Sequence, residues 1–162
     1  SAYDKVNTLW WYQSCMSDGC GTPGCDSTRA CEMGWPSYVI DHSAINNRIM
    51  SWMSYLYDIQ GELYWSTNYA MQGKDPWHDI YYFTGNGDGT FFYPGTPDII
   101  GGSNHIPVSS IRFKQVRDGI EDREYMKLAE KKVGKAKVMK VIEQVVSNDY
   151  TFSKDASLFL KV

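Results

Sequence analysis

Six tryptophans and twelve tyrosines in 162 residues are the side chains with the clearest chemical use. They come in clusters: Trp10-Trp11-Tyr12, Tyr64-Trp65, Tyr81-Tyr82-Phe83 and Phe91-Phe92-Tyr93. An aromatic ring offers a flat apolar face, and a tyrosine hydroxyl or indole N–H adds a polar edge. That pairing suits carbohydrate, because the C–H face of a pyranose stacks on the ring while its hydroxyls reach the edge. The same rings also fill ordinary cores, and composition alone does not separate the two uses.

Other chemistries have thinner support. His42, His78 and His105 are scattered and form no triad or metal spacing with the cysteines. Gly85-Asn86-Gly87 opens no helix and has no lysine after it, so it is not a phosphate loop. A net charge of −3 gives no electrostatic case for nucleic acid or an anionic membrane. No apolar run reaches the roughly 18 residues that a membrane span requires. Neither a metal nor a cofactor is expected.

Four cysteines, Cys15, Cys20, Cys25 and Cys31, fall in one stretch with Gly19, Gly21, Pro23 and Gly24. An even number of cysteines in a segment with little apolar material reads as two disulfides, of any of three connectivities. Zinc and free thiols are the rivals; the gaps of four, four and five residues, with no nearby histidine, fit zinc poorly. Disulfides would place the protein outside the cell or in another oxidising compartment.

The elements that must position these groups follow from periodicity. Val6–Tyr12 is β-rich, and a Cys/Gly-rich loop covers 13–36. After a candidate N-cap at Ser43, the residues Ile45, Ile49, Trp52, Leu56 and Ile59 mark one helix face, with Gly61 as its C-cap. Glu62–Ser66 is the second strand, and a helix joined to a strand by a short glycine loop is the α-to-β step of an α/β repeat. A long aromatic loop runs from Thr67 to Gly89, and the third strand is Thr90–Tyr93, stopped by Pro94-Gly95. Ser109 or Ser110 caps the next helix, with Phe113, Val116, Ile120 and Leu128 inward and the pairs Lys114–Asp118 and Arg117–Glu121 outward. Gly134 breaks it, and 135–162 holds the C-terminal helices. Three strands, expected to run parallel, are too few to close a barrel.

Several blocks fall in a telling order: Gly61-Glu62-Leu63-Tyr64-Trp65 with Asn68, Asp75-Pro76, Gly87-Asp88, Tyr93-Pro94-Gly95, Ser110-Ile111-Arg112-Phe113, and Arg117-Asp118-Gly119-Ile120-Glu121-Asp122. The series resembles the C-terminal part of the catalytic domain of glycoside hydrolase family 123, the β-N-acetylgalactosaminidase-like proteins. The resemblance implies an α/β fold. Residues 1–162 would be a single partial domain, the C-terminal portion (about strands six to eight and their helices) of a (β/α)8 TIM-type barrel.

It also implies an activity for the full-length protein. Terminal β-linked N-acetylhexosamine, N-acetylgalactosamine first, would be removed with retention by substrate-assisted hydrolysis. The 2-acetamido oxygen attacks its own anomeric carbon while an adjacent Asp-Glu pair orients it and protonates the leaving oxygen. No Asp-Glu dipeptide occurs in this chain, so no catalytic residue is assigned within it. The alternative is a catalytically inactive carbohydrate-binding or wall-associated protein of the same fold.

Sites in such barrels lie at the C-terminal strand ends. The resemblance thereby selects Trp10, Tyr12, Tyr64, Trp65, Asn68, Asp75, Asp88 and Tyr93 for substrate binding. Trp65 and Tyr12 would wall the sugar ring, and Asp88 and Asn68 would accept hydroxyl hydrogen bonds. Turn chemistry in Asn86-Gly87-Asp88-Gly89 is the rival role for Asp88. Glu62 is expected to be structural or salt-bridged, and Arg112 and Arg117 to pair with acids on the same or a neighbouring helix. The implied partners are a carbohydrate bearing N-acetylhexosamine and the N-terminal remainder of the same barrel.

Overall fold

Strand β1 (Trp10–Gln13) and strand β2 (Gly61–Tyr64) pair in parallel, with Trp10 opposite Gly61 and Gln13 opposite Tyr64. The computed structural model describes residues 7–18 and 34–159. The crossover between the strands holds a single turn, α1 (Cys15–Asp18), and the long helix α2 (Ala44–Leu56). Side chains alternate across a strand, which divides this pair into two faces. Trp11 and Tyr64 turn toward α2 and pack with its buried residues. Trp10, Tyr12 and Leu63 turn the other way and are 61%, 51% and 50% exposed.

Helix α2 buries Ile49, Trp52 and Met53, as its apolar spacing predicts. Ser43 is the N-cap in an extended conformation, but its hydroxyl accepts from Asn46 Nδ2 at 3.2 Å rather than from a backbone amide. Gly61 is not the C-cap. The helix closes at Tyr57, and Asp58 takes the left-handed conformation with φ +55°. Gly61 instead opens β2, where a Cβ would lie 2.3 Å from the Trp10 indole. The glycine is needed for close approach across the strand pair, not for the turn.

The expected loop from Thr67 to Gly89 is ordered. It contains a 3-10 turn at Tyr69–Gln72 and a short antiparallel hairpin, β3 (Tyr81–Tyr82) with β4 (Gly85–Asn86). Tyr69 packs on Tyr82 and Phe83 at 4.9 and 4.6 Å, so aromatic contacts supply the local core.

The third expected strand does not join the parallel pair. It forms β5 (Phe92–Gly95), pairs antiparallel with β6 (Ile106–Ser109), and encloses the turn α3 (Pro97–Ile100). Pro94-Gly95 continues this strand instead of stopping it, with Pro94 opposite Pro107. A two-stranded ribbon is all edge, so a proline without an N–H is tolerated there. The chain is therefore a mixed α/β structure with no closed sheet among the described residues.

Helix α4 (Ile111–Val133) begins at Ser110, whose hydroxyl accepts from the Phe113 amide at 3.2 Å. It lies along α2. Ile120 and Leu128 do not face inward; each is 53% exposed. The buried residues are Arg112, Gly119 and Met126, spaced by two turns. Gly119 brings the helices together, since a Cβ there would sit 2.3 Å from the Arg48 carbonyl oxygen. One turn on, Asp122 accepts from Arg48 Nε and Nη2 at 2.6 and 2.7 Å and from Trp52 Nε1 at 2.8 Å.

Backbone cannot yield as a side chain tip can. Gly119→Ala is expected to cost about 1–3 kcal/mol through overpacking. Thermal denaturation checks this, and an unchanged midpoint would refute the close approach.

Helix α5 (Lys135–Ile142), the short pair β7 (Val146–Asn148) and β8 (Thr151–Phe152), and α6 (Ala156–Phe159) finish the chain. Val138, Ile142, Val145, Val146 and Phe159 close the core over α2. Among the described residues no helix is long and apolar enough to cross a membrane.

Candidate functional site at the strand ends

The C-terminal ends of β1 and β2 lie side by side, and the chain leaves β2 through Trp65. Trp65 is 57% exposed and follows the Leu63 side of the strand, so Trp10, Tyr12, Leu63 and Trp65 make one open apolar face. The Trp65–Ser66 peptide is cis. Beyond it, Thr67 O accepts the Phe91 and Phe92 amides at 2.7 and 3.0 Å, and Asn68 bridges Thr90 antiparallel. The segment Thr90–Phe92 thus runs back along Ser66–Asn68 toward the end of β2.

Tyr64 points away from the open face into a buried polar layer. Its hydroxyl donates to Asp88 Oδ1 at 2.6 Å, and the Gly89 amide donates to both, at 2.7 Å to Tyr64 and 3.0 Å to Asp88. Asp88 is 2% exposed. Burial raises its carboxyl above the usual range, against the Tyr64 hydrogen bond that lowers it. Burial and then the Asp88 charge push the Tyr64 hydroxyl far up, so it stays a donor. Asp88 is therefore placed to hold the loop behind Trp65.

Arg112 is 4% exposed and, contrary to expectation, is not paired directly with an acid among the described residues. Its guanidinium donates to Tyr38 O at 2.8 Å, Gly87 O at 2.7 Å and Thr90 O, and lies over the Phe91 ring. The reason is geometric. Three carbonyls, one from Tyr38 and two from the turn Gly87–Thr90, converge at the start of α4, and the planar fork satisfies them together. Gly87, at φ +92°, leaves room, for a Cβ there would lie 2.8 Å from Arg112 Nη1. Arg117 does pair with acids, Asp118 at 3.0 Å and Glu121 at 3.6 Å.

Glu62 faces the same layer and accepts from the buried Tyr38 hydroxyl. Its partner is a phenol and not a cation, and burial raises its carboxyl. Tyr38 packs edge-on against Tyr64 at 4.9 Å. Periodicity marked neither Tyr38 nor Arg112 as part of the site. The available signal was a lone arginine between Ile111 and Phe113, two residues past a helix cap.

Of the remaining expected residues, Asn68 and Asp75 lie on the loop and Tyr93 lies in β5. Asn68 is exposed, and its Oδ1 is 3.5 Å from Ser66 Oγ. Asp75 is exposed, accepts the Trp77 amide at 3.0 Å, and pairs with His78 at 2.5 Å. Tyr93 lies against Trp77 at 5.0 Å. Cys15 is buried and is not a free thiol, while Cys20, Cys25 and Cys31 lie outside the described residues. Among the described residues no group of three or more His, Cys, Asp or Glu side chains is placed to hold a metal ion.

The arrangement offers an aromatic surface on a braced polar layer, with no carboxylate among the four side chains of the open face. No curated protein matches the chain. Residues 27–129, which span α2, β2, the aromatic loop and most of α4, match the family model described as glycoside hydrolase 123, catalytic domain. With well over half its length inside that match, the chain belongs to the glycoside hydrolase 123 catalytic-domain family, whose substrates are carbohydrates.

Proposed function

We propose that the complete protein removes terminal β-linked N-acetylhexosamine, N-acetylgalactosamine in the first instance, with retention of configuration. The open face ending in Trp65, in a chain of this glycosidase family, carries the proposal. In this reading the parallel pair β1–β2 is the last part of a (β/α)8 barrel, and the rest of that barrel continues the sheet. Trp65 and Tyr12 wall the sugar. Tyr64, Asp88 and Arg112 fix the loop that aims Trp65.

Chemistry comes from the substrate and from carboxylates outside this chain. The acetamido oxygen attacks the anomeric carbon as a glutamic acid protonates the leaving oxygen, and water later opens the cyclic intermediate. That departs from the scheme in which the enzyme itself supplies the nucleophile.

An aryl N-acetyl-β-galactosaminide is therefore expected to be cleaved, whereas the matching β-galactoside, lacking the internal nucleophile, is not. Equal turnover of both would rule out acetamido participation. Turnover of neither would favour a binding protein of the same fold.

A further inference from the structure

We propose that Trp77 and Tyr93 form a second carbohydrate-binding position, which takes the sugar next to the one held at Trp65. The proposal rests on the glycosidase reading for its ligand class and adds where a longer saccharide lies.

Trp77 sits at the tip of the aromatic loop, yet its ring is pinned. Its Nε1 donates to Pro94 O at 2.8 Å, its backbone amide donates to Asp75 at 3.0 Å, and its ring meets Tyr93 at 5.0 Å with 39° between the planes. Despite these ties it remains 39% exposed. A tip that needed only anchoring would be served by an aliphatic side chain turned inward. This one presents a fixed ring with its polar edge already satisfied, so only apolar ring surface is left for a ligand. Fixing the ring beforehand lowers the ordering cost of binding.

Polar groups flank it. Asp75 and His78 hold each other at 2.5 Å, with side chains 54% and 83% exposed. Together they offer an acceptor and a donor beside a flat apolar surface, the pattern a pyranose needs.

Placement links the two positions. The Asn68–Thr90 bridge and the amides given to Thr67 O set Thr90–Phe92 antiparallel to Ser66–Asn68. Thr67, two residues after Trp65, accepts the Phe92 amide at 3.0 Å, and Tyr93 is the next residue, so the two rings belong to neighbouring segments. A saccharide with its terminal ring on Trp65 and its next ring toward Tyr93 then meets Trp77.

Binding tests this separately from hydrolysis. Titration of the complete protein with N-acetylgalactosamine, and with a trisaccharide ending in β-linked N-acetylgalactosamine, is followed by calorimetry at a temperature where turnover is negligible. The trisaccharide is expected to bind roughly tenfold more tightly than the monosaccharide. Trp77→Leu, which keeps apolar packing but loses the flat ring, should reduce that gain to less than about threefold. Tyr93→Leu should do the same and carries the test if the first variant does not fold. No gain in the parent protein, or an undiminished gain in a folded variant, overturns the proposal. Because no cleavage is read, failure of the hydrolytic mechanism leaves this outcome interpretable.

Discussion

Trp65→Ala is expected to lower kcat/KM of the complete protein on an aryl N-acetyl-β-galactosaminide by about 100-fold. The ring is 57% exposed at the end of β2, so its loss leaves no buried cavity and spares the fold. What goes is the surface that holds the sugar while its acetamido oxygen closes on the anomeric carbon. A misplacement of about 1 Å is enough for a loss of that size. No proton donor is touched, so the pH profile of kcat/KM should keep its shape while its height falls. A shifted acid or base limb would show that Trp65 tunes the acid instead. Activity within about threefold of the parent would remove it from the sugar site.

Arg112→Met is expected to cost about 3–5 kcal/mol of stability, at roughly 1–3 kcal/mol for each buried carbonyl that loses its donor. The methionine fills similar volume but leaves the carbonyls of Tyr38 and Thr90 without their donor, while Gly87 O keeps only the Thr90 amide at 3.1 Å. It also strips the buried Asp88 carboxylate of a cation that favours its charged form. For a domain of this size the melting temperature should fall by about 10 °C. Arg112→Lys should rescue little, because a single ammonium cannot meet three diverging carbonyls as a planar fork does. A drop under about 2 °C for Arg112→Met would mean that water replaces the guanidinium and that the knot is not structural.

The two long helices, their N-caps and the glycine stop at 134 were legible because each depends on neighbours in sequence. Ser110 shows this well: hydroxyl, apolar run and amide donor all fall within four residues. The motif order from Gly61 to Asp122 identified the family for the same reason. What escaped were pairings between distant segments. Nothing near Phe92 announces that its strand turns to Ser109 and not to β2. Likewise, Ile120 and Leu128 look like core residues by type, but α4 meets α2 along the stripe of Arg112, Gly119 and Met126. A polar or absent side chain marks much of that stripe, so hydrophobicity points to the wrong side of the helix. At the site, Tyr12 and Trp65 do lie toward the C-terminal ends of β1 and β2, whereas Trp10, expected there with them, opens β1 opposite Gly61. The partners of Asp88 required knowing that Tyr64 faces inward.

The aromatic loop is fastened at its two feet. Thr67 O holds the Phe91 and Phe92 amides, the Tyr69 amide donates to Gly89 O at 2.9 Å, and Arg112 grips Gly87 and Thr90. Between Gln72 and Asp79 the chain stays outside the main core, and its further ties are a few side chains, Lys74 to Asp79 and Tyr81, and Trp77 to Pro94 and Tyr93. Lengthening such a segment costs little, about 0.6 kcal/mol for each doubling of a flexible loop. The stretch bearing Trp77 is therefore an exchangeable cassette. Its length and side chains are free to diverge, and with them the preference for the sugar linked behind the terminal one, while the helices and the strand pair stay as they are.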